Sequence, residues 1–69
     1  MVLEFKDVVR ESYESLFSRN GEAPTAEMVA EDIVENYEGY HNINLNNPMK
    51  HYNWVMEVSF ELGRQGLEF

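Results

Sequence analysis

Phe5, Val8, Val9, Ser12, Tyr13 and Leu16 recur at steps of three and four residues, the spacing that puts side chains on one face of an α-helix. Asn20-Gly21 follows as a left-handed stop, so a first helix is predicted over residues 4–19. Glu22-Ala23-Pro24 reads as a short linker, and Thr25 is a good N-cap with Glu27 in the first turn, where the helix dipole favours an anion. Ala26, Val29, Ala30, Ile33, Tyr37 and Tyr40 then make one stripe, predicting a second helix over residues 25–39 that ends at Gly39. Asn47-Pro48 is the next start signal, because proline at the first helical position gives up an N–H that would have no helical partner anyway. A third helix is predicted over residues 47–65, with Gly66 as its stop. Its apolar positions, Met49, Tyr52, Val55, Met56, Val58, Phe60 and Leu62, cover more than half the circumference, so it is expected to be covered on two sides and to lie at the centre of the fold.

Between the second and third helices the chain is rich in asparagine, with Ile43 and Leu45 alternating against Asn42, Asn44 and Asn46. This segment reads as an extended loop or one short strand whose two apolar side chains tuck under the domain. The ends echo each other as Leu3-Glu4-Phe5 and Leu67-Glu68-Phe69, which leaves a minor β-pairing of the termini open. With no internal repeat or interdomain linker, the expected fold is all-α: a small three-helix bundle with helix three central, forming a single domain over residues 1–69.

Composition narrows the picture. In 69 residues there are 13 Asp and Glu, 5 Lys and Arg and no cysteine, for a net charge of −8. A chain this short buries only about 60% of the surface its unfolded form exposes, so its core is marginal without a staple or a second subunit. Lack of cysteine removes disulfides and thiolate–metal sites together. Neither a membrane span nor a signal-peptide pattern is visible, which points to a cytoplasmic protein. Such a negative field repels nucleic acid and anionic membrane and attracts basic surfaces.

Catalysis finds no support. Cysteine nucleophile, phosphate cradle, H-E-x-x-H and G-x-S-x-G are all missing. His41 and His51 read as a loop histidine and a helix-start surface histidine, since nothing in their spacing enforces further donors from Glu38 or Glu57. Alternation of Asn42, Asn44 and Asn46 lacks the charges, central glycine and terminal Glu of a calcium loop, Asn53 standing at the twelfth place. No catalytic residue, metal or cofactor is therefore expected.

Charge is unevenly laid out. Residues 1–40 hold ten acids and three bases, and six acids but no base fall between Arg19 and Lys50. On a helical wheel Glu27, Glu31, Glu35 and Glu38 lie within about 80° of each other, opposite the apolar stripe, with Asp32 at the flank. Like charges four residues apart destabilise a helix by a few tenths of a kcal/mol, and an ordinary solvated face interleaves lysine instead. Either Arg10 or Arg19 of the first helix neutralises this ridge, or the excess serves solubility alone, or the ridge binds a cationic partner. In the last case, carboxylates spaced ~6 Å along the axis form an anionic ladder that a DNA-binding surface accepts as backbone phosphate, and Glu4, Asp7, Glu11 and Glu14 add a second row.

In composition and in the charge layout of residues 4–38, the chain resembles the small, acidic, cysteine-free proteins by which phages disable host nucleic-acid-binding proteins through DNA mimicry. That resemblance implies a basic nucleic-acid-binding target in the host cytoplasm, such as a histone-like nucleoid protein, a restriction or repair enzyme or RNA polymerase. It also implies a homodimer, for which Met28 and Phe17, lying off the two stripes, offer a patch. Residues 21–30 separately resemble the start of the helix-turn-helix in sigma-factor region three, but the following helix offers only Lys50, His51 and Arg64 against Glu57 and Glu61. A recognition helix needs a basic surround, so direct binding of nucleic acid is not expected.

Trp54 falls near Lys50, Glu57 and Glu61 on the wheel, where it is either an exposed interface anchor or a flank cover for the core. Tyr37, Tyr40 and Tyr52 read as core-edge residues with hydroxyls in water. The candidate partner-binding set is therefore Asp7, Glu11, Glu14, Glu27, Glu31, Asp32, Glu35, Glu38 and Trp54. The expected function is that of a non-enzymatic inhibitor or modulator. The alternatives are an adaptor bundle that binds through exposed aromatics, and a helix-turn-helix regulator.

Overall fold

A computed structural model describes residues 3–67 as three helices, α1 (Phe5–Asn20), α2 (Ala26–Asn36) and α3 (Pro48–Arg64), with no strand among the described residues. The predicted starts hold for chemical reasons. Thr25 Oγ1 accepts the Met28 N–H at 3.2 Å, and Asn47 Oδ1 accepts those of Met49 and Lys50 at 3.0 and 3.1 Å ahead of Pro48. Gly21 closes α1 at φ 76°, donating its N–H to Phe17 O, a backbone conformation that glycine adopts without penalty.

The three helices all pack on one another around Val8, Val9 and Leu16 of α1, Val29, Ala30 and Ile33 of α2, and Trp54, Val58 and Leu62 of α3. The result is the expected all-α three-helix bundle. Its centre differs from expectation: α2, rather than α3, packs most extensively against its neighbours. Half of α3's wide apolar face is turned to solvent, with Met49, Tyr52, Met56 and Phe60 exposed by 73, 63, 50 and 77%. The buried stripe of α3 is instead Trp54, Val58, Glu61 and Leu62, an i, i+4, i+7, i+8 set that one glutamate disguises.

One helix boundary moves. α2 stops at Asn36 rather than Gly39, because Tyr37 turns extended (φ −116°, ψ 126°) and sends its hydroxyl to Glu11 of α1. Tyr40 still reaches the core from the loop, its ring centroid 5.7 Å from that of Trp54. Residues 40–47 are an irregular loop with turns at 41–42 and 45–46, and Ile43 and Leu45 pack against the core as expected. The β-pairing suggested for the termini is not present at Phe5, which is helical; Glu68 and Phe69 lie outside the described residues.

A polar link ties α1 to α2 in the interior. The fully buried Ser12 hydroxyl of α1 donates to Asp32 Oδ2 of α2 at 2.6 Å, while Asn36 and Arg19 donate to Oδ1 at 2.8 and 3.4 Å. Removing the acceptor would strand a buried hydroxyl and a charged hydrogen bond together. Asp32→Ala should therefore cost about 2–3 kcal/mol in urea unfolding, and Asp32→Asn, which keeps an acceptor, distinctly less.

Candidate partner-binding surface

The acids of α2 divide between its two flanks. Glu27 and Glu31 are exposed and face α3, where His51 Nε2 stands 3.7 Å from an oxygen of each. Glu35 continues the same edge one turn on, also exposed. None of these three makes an ion pair with lysine or arginine among the described residues. Glu38 is exposed too, but it follows the end of α2 and belongs to the turn rather than to the helical ladder.

Asp32 leaves the candidate set. Its side chain is only 11% exposed, because it points toward α1 and is spent on Ser12, Arg19 and Asn36. Trp54 is corrected likewise: it is 7% exposed, its Nε1–H donates to Ala30 O at 2.9 Å, and its ring packs with those of Phe5 and Tyr40. Of the two readings of this residue, the flank cover is the one the packing supports, and an exposed anchor is excluded.

The α1 acids do not form a row beside Glu27 and Glu31. Glu11 lines a groove between α1 and α2 with Ser15, Arg19, Asp32, Asn36 and Tyr37, and it accepts the Tyr37 hydroxyl at 3.2 Å. Burial, that hydrogen bond and the charges of Glu11 and Asp32 push the Tyr37 hydroxyl up to about 12, so the phenol stays protonated and holds Glu11 in place. Glu14 pairs with Arg10 on its own helix at 3.4 Å. Asp7 shares a cleft with Lys6, Arg10, Glu61, Arg64 and Gln65. Thus Arg10 and Arg19 are used, as one sequence reading allowed, yet on Glu14 and Asp32 rather than on the Glu27–Glu31–Glu35 edge.

Sequence reasoning missed His51 and Glu61. Four-residue spacing places Glu27 beside Glu31, but nothing along the chain shows that a histidine twenty residues later faces them across a helix interface. His41, by contrast, is a loop histidine as expected, its Nδ1 2.8 Å from Val34 O. Glu61 sits in the buried stripe of α3, satisfied by Gln65 at 2.8 Å and Arg64 at 3.3 Å, and Gln65 also donates to Lys6 O at 2.9 Å to tie α3 to α1.

The Gln65 amide holds the Glu61 carboxyl below the usual carboxylate range, with Arg64 and Lys6 adding to it and burial opposing. A carboxylate depressed in the fold stabilises it fully above its unfolded pKa and loses that contribution as pH falls through the folded value. The urea midpoint should therefore drop on acidification below the ordinary carboxylate range, and Glu61→Gln should flatten that drop.

No protein-family model matches the chain, and comparison with curated proteins and with solved structures finds no match. Among the described residues no helix is long and apolar enough to cross a membrane.

Proposed function

We propose that this protein is a non-enzymatic acidic inhibitor or modulator that docks the Glu27–Glu31–Glu35 edge of α2, extended by Glu38, onto the basic nucleic-acid-binding surface of another protein. The mechanism is competitive exclusion by DNA mimicry. The observation that carries it is a run of three exposed carboxylates on successive turns with no lysine or arginine paired to them among the described residues. Helix geometry spaces them ~6 Å apart along the axis, a pitch that Lys and Arg arrayed for phosphates can span. Opposite charge makes association fast and salt-sensitive, because screening at physiological ionic strength acts over ~8 Å. Its targets are of the histone-like nucleoid class or another basic DNA-binding protein of the cytoplasm. Affinity capture from a nuclease-treated bacterial lysate in low salt tests this: basic DNA-binding proteins should be retained and then released by salt, and retention of none would count against it.

A second reading, an adaptor that docks through apolar side chains, is favoured by the Met49, Tyr52, Met56 and Phe60 stripe of α3. Phe60→Ser separates the two. At 77% exposure the change should leave stability within about 0.5 kcal/mol. Unchanged capture by this variant supports charge-driven docking, and lost capture supports the adaptor.

A further inference from the structure

The strongest convergence of chemistry is where two rungs of the acidic edge meet α3, at the α2–α3 seam. Glu27 and Glu31 stand one turn apart on α2, and the imidazole of His51 in the first turn of α3 is aimed between them. His51 Nε2 lies 3.7 Å from Oε2 of each, beyond hydrogen-bond range, and the three atoms all lie within 4.8 Å of one another. The scaffold beneath is fixed. Val29 and Ala30 are fully buried, and one turn beyond His51 the Trp54 indole donates to Ala30 O, locking the two helices in register beside the cluster.

We propose that Glu27, Glu31 and His51 bind a divalent transition-metal ion of the zinc class, with water completing the coordination. Two carboxylates and one imidazole are a mixed O/N donor set suited to zinc, whereas calcium and magnesium favour oxygen alone. Metal–ligand bonds of about 2.0–2.2 Å place tetrahedral donors roughly 3.3–3.6 Å apart. His51 Nε2 stands 3.7 Å from each carboxylate oxygen and all three atoms lie within 4.8 Å of one another, so shifts of up to about 1.5 Å, within the rotamer freedom of two exposed glutamates, close the site to that value. The cation would also relieve the like-charge repulsion between Glu27 and Glu31 one turn apart.

The ion would occupy two rungs of the acidic edge, so metal and a cationic macromolecule would compete for it; that consequence rests on the proposed function, whereas the site does not. Calorimetric titration of the metal-free protein with zinc chloride at neutral pH, with no partner present, tests the site alone. Saturating uptake of one ion per chain is expected, with a visible absorption band when cobalt(II) replaces zinc and no displacement by millimolar magnesium. His51→Gln and Glu31→Gln should weaken uptake at least about tenfold while far-ultraviolet circular dichroism stays unchanged, and His41→Gln should bind as the parent does. Equal uptake by His51→Gln, displacement by magnesium, or weak non-saturating uptake of many ions would overturn the proposal, since each is the behaviour of a diffuse counterion cloud. None of these outcomes bears on capture of a basic protein.

Discussion

Trp54→Ala is expected to cost about 3–5 kcal/mol and to leave a large share of the molecules unfolded at room temperature. Trp54 is the largest side chain in the core, bridging all three helices through Phe5 of α1, the Ala30 carbonyl of α2 and its own position on α3, and it also seats Tyr40 of the connecting loop. A domain of this length has a total stability of roughly 3–10 kcal/mol, so the loss is comparable to the whole. Trp54→Phe keeps most of the ring contact and forfeits the hydrogen bond to Ala30, for a cost of about 1–3 kcal/mol. Urea unfolding followed by far-ultraviolet circular dichroism checks both. A stability change under about 1 kcal/mol for Trp54→Ala would contradict the packing described. Any loss of partner binding in that variant therefore reports unfolding rather than a missing contact.

The second large effect has the opposite character. Replacing Glu27, Glu31 and Glu35 together by glutamine removes three exposed charges while keeping side-chain size and helix propensity. Relief of the two four-residue repulsions should hold stability constant or raise it by a few tenths of a kcal/mol per pair. Close charge pairs across an interface couple by about 1.5 kcal/mol or more, so binding of a basic partner should weaken by two orders of magnitude or greater. The salt dependence of what binding remains should flatten in step. Calorimetry with the captured partner at two ionic strengths measures it, and an unchanged affinity would remove α2 from the interface.

How much could be read from the chain depended on whether the information was local. Thr25, Asn47-Pro48 and Gly21 set the helix ends because a cap acts on the backbone beside it, and the all-α bundle follows from three stripes of period near 3.6. What stayed hidden needs a partner from another helix. Tyr37 leaves α2 early for Glu11, Asp32 abandons the acidic face for Ser12, and His51 meets Glu27 and Glu31 only once α2 and α3 are docked. The inner face of α3 was misread because counting apolar residues favours the side with Met49, Tyr52, Met56 and Phe60. Burial went to the side where Glu61 is satisfied by Gln65 and Arg64. The candidate site was legible in its Glu27, Glu31 and Glu35 part, which local periodicity fixes. It was not legible in the residues that the tertiary fold recruits elsewhere.

Inhibition by mimicry requires that this protein and DNA compete for one surface. With a captured basic protein bound to a fluorescent DNA duplex, titration of this protein followed by anisotropy should release the duplex, and the midpoint should rise in proportion to the duplex concentration. Formation of a ternary complex, with the duplex still bound at saturating protein, would contradict mimicry outright.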